Sequence, residues 1–213
     1  MSTDPEHRKA LVGPARHFEE KRRFQKEFIL SQGLQPHHTY LDIGCGVLRG
    51  GLPLIEYLEE GNYAGYDVDP IIINEARKVL DENPQALNKN PDIQLVEEVA
   101  EFSSSKKYDF VMAYAVLIHM TDEIVESCFR QCSEVLTPTG VFYANVNIGE
   151  AERINTWKGT YPVNRRPLEF YKNLATRYNL STEDLGQLSS LGHNADGGSN
   201  IQRMLKFSRE TNE

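Results

Sequence analysis

The stretch Asp42-Ile43-Gly44-Cys45-Gly46-Val47-Leu48-Arg49-Gly50-Gly51 carries the clearest chemistry in this sequence. One glycine lets a backbone take angles that are costly to other residues. A second lets a ligand approach the main chain without meeting a Cβ. Asp42 is the last polar residue before this turn, and its carboxylate would repel a pyrophosphate resting on the turn amides. The dinucleotide spacing G-x-G-x-x-G wants glycine at position 49, which is Arg49; the third glycine is displaced to Gly50 and Gly51. A ligand carrying an ammonium and a sulfonium suits Asp42 better. Asp67, about twenty residues after Gly46, is placed to accept hydrogen bonds from both hydroxyls of a ribose. NAD would use such an acid in the same way, so Asp67 speaks for an adenosine ribose and does not choose the ligand alone.

These residues need elements to position them. The apolar run Tyr40-Leu41-Asp42-Ile43 reads as a buried strand, and Leu48, Leu52, Ile55 and Leu58 recur at helical spacing up to Gly61. A second strand follows over 63–67. Asp69-Pro70 is an N-cap with proline at the first helical position, opening an amphipathic helix through Ile72, Ile73, Ala76, Val79 and Leu80. Residues 81–92 read as a loop, and 93–96 and 108–113 as strands. A helix over 122–135, a turn at Pro138-Thr139-Gly140 and a strand over 141–146 complete the alternation. Strands alternating with helices imply a parallel sheet built from right-handed crossovers, with ligands beyond the carboxyl ends of its strands. Residues 1–13 read as loose, 14–33 as a helix, 148–165 as irregular, a helix follows Pro167, and 201–207 is a closing strand. Neither repeat nor linker divides the chain, so one domain over 1–213 is expected.

The Asp42 turn resembles the first motif of the class I S-adenosylmethionine (SAM)-dependent methyltransferases: an acidic residue, then G-x-G, at the end of the first strand. Tyr63-Ala64-Gly65-Tyr66-Asp67-Val68-Asp69 is similar to their second motif. The run from Tyr108 through Ala113, Tyr114 and Ala115 to His119-Met120 is similar to the fourth-strand motif and its loop. Leu136-Thr137-Pro138-Thr139-Gly140-Val141 is similar to the turn into the fifth strand. The likeness covers roughly residues 35–147, and the motifs are specific together rather than singly. It implies a Rossmann-like α/β fold, a mainly parallel seven-stranded sheet flanked by helices, with SAM as cofactor.

By that resemblance Gly44, Cys45 and Gly46 run under the methionine part of SAM, and Asp42 helps to position its ammonium. Asp67 binds the ribose hydroxyls and Val68 packs on the adenine. Ala113 offers its carbonyl to the ammonium, with Tyr114 and Ala115 nearby. Many members place an aspartate on the adenine amino group where this chain has Val99, preceded by Glu98. Either Glu98 substitutes, or main-chain groups read the adenine. His119 falls where the family often has histidine. It is a candidate general base for a hydroxyl or amine acceptor, or else a loop-orienting residue. Asn145, Asn147, Trp157, Tyr161, Arg165 and His193 are candidates for lining the acceptor pocket, each with an ordinary packing or surface role as the alternative. Cys45 reads as a small residue in a crowded turn, since no partner base is evident.

Composition narrows the partners. The formal charge of −8 disfavours a broad nucleic-acid footprint. The basic cluster Arg8, Lys9, Arg16, Lys21, Arg22 and Arg23 reads as a solvated helix face. Three cysteines with no metal or disulfide spacing fit a reducing compartment, and Cys128 and Cys132 lie one helical turn apart. No N-terminal stretch is apolar enough for a signal peptide and no run reaches the length of a membrane span, so a cytoplasmic location is expected. Methyl transfer from a sulfonium leaves a neutral group, so placing the acceptor in line supplies much of the rate, and a base is needed only where the acceptor must lose a proton. A strong cofactor signature beside a weak catalytic one is the expected pattern. The leading reading is methylation of a small-molecule O- or N-acceptor, covered by the N-terminal helix and residues 148–170. Ala113-Tyr114-Ala115-Val116 stands where enzymes methylating bases or glutamine often carry an N-P-P-Y-like tetrapeptide. The alternatives are a non-catalytic SAM-binding partner subunit, a methyltransferase for RNA or protein, an aminopropyl-type transferase and an NAD(P)-dependent dehydrogenase.

Overall fold

The computed structural model describes residues 4–97, 106–150, 152–157, 161–193 and 202–209, with backbone only for 152–157 and 161. Helices α1 (Pro5–Leu11), α2 (Phe18–Ser31) and α3 (Gly51–Tyr57) flank strand β1 (Tyr40–Ile43) in the chain. Strand β2 (Tyr63–Asp67), helices α4 (Pro70–Asp81) and α5 (Pro84–Leu87), and strands β3 (Asp92–Leu95) and β4 (Tyr108–Ala113) follow. Helix α6 (Asp122–Val135) leads into β5 (Leu136–Asn147) and the pair β6 (Glu152–Trp157) and β7 (Tyr161–Arg165). Helix α7 (Leu168–Arg177) and strands β8 (Leu180–Gln187) and β9 (Gln202–Arg209) end the described chain.

The seven-stranded sheet has the order β3-β2-β1-β4-β5-β9-β8. Its first five strands are parallel, and β9 is antiparallel to both β5 and β8. The order reverses at β1, which pairs with β2 on one side and β4 on the other. A crevice opens beyond strand tips at such a switch. Alternation along the strands sorts side chains into two cores. Leu41, Ile43, Val111 and Phe142 face the layer containing Cys128, Phe129 and Leu174, while Tyr40, Phe110, Met112 and Tyr143 face that of Phe28, Leu54 and Val79.

Local chemistry explains the elements that position the site. Asp69 caps α4, its Oδ1 accepting from the Ile71 amide at 2.8 Å, with Pro70 directly after it. Thr121 caps α6 by accepting from the Ile124 amide. Four regions differ from expectation. Residues 5–11, expected to be loose, form α1, because Arg8 is buried against Glu75 at 3.1 Å and Glu82 at 2.7 Å on and after α4. Arg8 therefore does not belong to a solvated basic face. The expected loop at 81–92 contains α5, whose Ala86 is fully buried. The irregular stretch after Asn147 contains the antiparallel hairpin β6–β7. Residues 138–140 lie inside β5, where a bulge separates the Tyr108–Leu136 pair from the Phe110–Val141 pair.

Candidate functional site

Asp42 sits at the tip of β1, 5% exposed, and its Oδ2 accepts from the Tyr63 hydroxyl at 2.7 Å. Burial pushes its carboxyl up to about 7, with the charge of Asp67 adding to the rise; the Tyr63 bond and the Arg49 charge oppose it. Gly44 and Gly46 take left-handed angles, φ +69° and +57°. The amides of Gly44 and Cys45 donate to the Tyr66 carbonyl at 2.7 and 3.1 Å, tying the turn to β2. The Cβ directions of both glycines are filled by the chain itself. A Cβ on Gly44 would lie 2.5 Å from Val116 Cγ2, and one on Gly46 would lie 2.9 Å from Val12 Cγ1. Cys45 is buried, and burial holds its thiol well above the ordinary range, which fits a packing residue.

Asp67 reaches the same turn from the tip of β2. Its Oδ2 accepts from the Gly46 amide at 3.0 Å and its Oδ1 from the Asp69 amide at 3.2 Å. Burial raises its carboxyl, and these backbone bonds pull it down. Each oxygen retains a lone pair for a hydroxyl. Val68, next along, is 42% exposed. Glu98 and Val99 lie outside the described residues.

Ala113 ends β4, adjacent to β1 through the Asp42–Met112 pair. Tyr114 is buried, its ring centroid 5.9 Å from Phe24 and 6.2 Å from His193, with the Arg49 guanidinium 5.7 Å away. Ala115 takes φ +59°, and its amide donates to Asn145 Oδ1 at 2.5 Å. Arg49 also donates to the Val12 carbonyl at 2.8 Å, so it links the segment after α1 to the Tyr114 ring. In the sequence Arg49 counted only against a dinucleotide; its place in the site has no local signal.

His119 lies half-buried in a 3₁₀ turn, Leu117–His119, with Nδ1 2.7 Å from the Pro162 carbonyl oxygen on β7. A carbonyl only accepts, so Nδ1 carries the proton and Nε2 bears the lone pair in the neutral ring. The hairpin is fastened to this turn by residues the sequence did not single out. Asn164 donates to the Met120 carbonyl at 2.7 Å, and the buried Arg166 donates to the carbonyls of Met120 and Leu117 and to Asp122 at 2.6, 3.3 and 2.7 Å. Among the acceptor-pocket candidates, Asn147 donates to the Asn164 carbonyl at 3.2 Å, while His193 packs edge-on against Phe24. Arg165 lies against Gly149, and the side chains of Trp157 and Tyr161 lie outside the described residues.

The structure thus brings Asp42, Gly44, Cys45, Gly46 and Asp67 to two neighbouring strand tips, with Ala113 and Tyr114 at a third. Two acids raised by shared burial suit a ligand that brings positive charge to one and hydroxyls to the other, and SAM has both. Residues 41–142 match the family model described as a methyltransferase domain. The fold is similar to magnesium protoporphyrin IX methyltransferase from Synechocystis PCC 6803 with bound SAM, at 15% identity, TM-score 0.68, covering 99% of this chain and 87% of that one. It is also similar to the CcbJ methyltransferase from Streptomyces caelestis, at 13% identity, TM-score 0.70, covering 98% and 100%. The glycopeptide N-methyltransferase MtfA complexed with SAM matches at 11% identity, TM-score 0.68, covering 87% and 94%. The architecture is therefore the class I methyltransferase fold. Residues 41–142 thus carry the likeness to a methyltransferase domain, on a fold shared with methyltransferases crystallised with SAM.

Proposed function

We propose that this protein methylates a small-molecule O- or N-acceptor held between the loop after β4 and the β6–β7 hairpin, in a single domain whose residues 148–170 cover the acceptor. The observation that carries this reading is a buried polar atom. Asn147 is 2% exposed, and its Oδ1 has no hydrogen-bond partner among the described residues. Such an orphan costs free energy unless a donor meets it. An acceptor O–H or N–H is such a donor, and Asn147 is fastened to the same hairpin residue, Asn164, that contacts the His119 loop.

SAM supplies a methyl group on a sulfonium, which becomes a neutral thioether when the methyl leaves. Asp42 would receive the ammonium of its amino-acid end, helped by the Ala113 carbonyl and the Gly44-Cys45-Gly46 turn. Asp67 would take the ribose hydroxyls and Val68 the adenine face. His119 Nε2 takes the proton that an acceptor hydroxyl or amine loses as its lone pair bonds to the methyl carbon. Two similar structures are named for a porphyrin and a glycopeptide, which supports a small-molecule acceptor over a nucleic acid.

The test is release of S-adenosylhomocysteine (SAH) over a panel of small hydroxyl and amine compounds, with bulk RNA and protein as comparison arms. Turnover on small acceptors that falls on Asn147→Ala through a raised KM supports the reading. Turnover confined to RNA or protein defeats it.

A further inference from the structure

Ala115 holds a conformation that nothing local to it explains. Its φ is +59°, a region that L-residues other than asparagine and aspartate rarely occupy, and alanine has no polar side chain to steady it. The support comes from another strand. Asn145 on β5 is 1% exposed, and its Oδ1 accepts the Ala115 amide at 2.5 Å. This buried bond satisfies a donor and an acceptor that water does not reach, and it gives the polar side chain its reason for being inside.

The turn held this way sets two things. It directs the chain as it leaves the Ala113 and Tyr114 end of β4. It also folds Val116 back onto the glycine turn, where Val116 Cγ2 occupies the space a Cβ on Gly44 would need. One side chain on β5 therefore ties the exit of β4 to the turn after β1. We propose that Asn145 is a positioning residue for the cofactor, holding Ala115 left-handed so that the Ala113 carbonyl and Tyr114 face the amino-acid end of SAM and Val116 seats against Gly44. This rests on the cofactor placement given above.

Two measurements test it. In the wild-type chain, the Ala115 amide proton should resonate well downfield and exchange slowly with solvent; an ordinary, fast-exchanging resonance would overturn the proposal without any variant. Asn145→Leu, which keeps volume and removes the acceptor, should weaken SAH binding by about tenfold in calorimetry, the scale of one lost buried hydrogen bond. Adding Ala115→Gly should recover most of that loss, because glycine takes this φ without strain. A packing role for Asn145 would not be rescued at residue 115. Unchanged affinity in Asn145→Leu, or no recovery in the double variant, overturns the proposal. Asp67→Ala separates the two levels. If it weakens SAH while Asn145→Leu does not, the cofactor placement stands and only this inference fails. If neither matters, the placement itself has failed.

Discussion

Replacing Asp42 by asparagine should stabilise the protein and disable its cofactor site together. The folded chain holds this carboxyl at about 7 against an ordinary 3.8, chiefly through burial. The folded state therefore binds the proton more tightly than the unfolded state. Stability from this group is complete below the ordinary value, falls as pH rises towards 7, and is lost above it. Asparagine keeps an oxygen for the Tyr63 hydroxyl and never ionises. At about 1.4 kcal/mol per pH unit, Asp42→Asn should exceed the parent by about 2 kcal/mol at pH 5 and by about 4 kcal/mol at pH 8. Urea denaturation of both proteins at the two pH values measures the gap. Calorimetry should show SAM affinity of the parent rising between pH 6 and pH 8, as Asp42 ionises to meet the ammonium. The variant should bind weakly and lose the part of this slope that belongs to Asp42. A stability gap equal at both pH values, or a variant less stable at pH 8, would refute the reasoning.

Asp67→Ala should weaken SAM binding more than about tenfold, through loss of paired hydrogen bonds to a charged acceptor, as read by calorimetry. His119→Asn should lower turnover on a hydroxyl acceptor by about 10²-fold or more while leaving SAH affinity intact; equal losses in both would make it a loop-orienting residue. Gly44→Ala should cost about 2–5 kcal/mol in denaturant unfolding, combining a left-handed angle with overlap on Val116. Val116→Ala in the same chain should return the overlap share only. Arg8→Met should destabilise by about 1–3 kcal/mol, since the buried Glu75 loses its guanidinium partner.

The convergence of Asp42, the glycine turn and Asp67 at neighbouring strand tips was legible because its signals are local. Asp42, the glycines and Asp67 sit at strand ends that period and turn chemistry locate, and Asp69-Pro70 announces α4 by capping alone. The fold class followed from the alternation of elements. Other features depend on partners far away in the chain. Helix α1 is held by Arg8 on acids near residues 75 and 82, and β8 has only Leu180 fully buried, so no apolar period marks it. Arg166 looks like any basic residue until it meets the carbonyls at 117 and 120. The glycines carried a reason invisible in the sequence, since Val12 and Val116 fill their Cβ space.

The bond between His119 and the Pro162 carbonyl joins two events that would otherwise be separate. On the proposed reading, the hairpin placed beside the acceptor would also select which imidazole nitrogen is left to take a proton. A displacement of Pro162 from this turn would release the ring to either tautomer, so the backbone of one element sets the protonation pattern of a side chain on another.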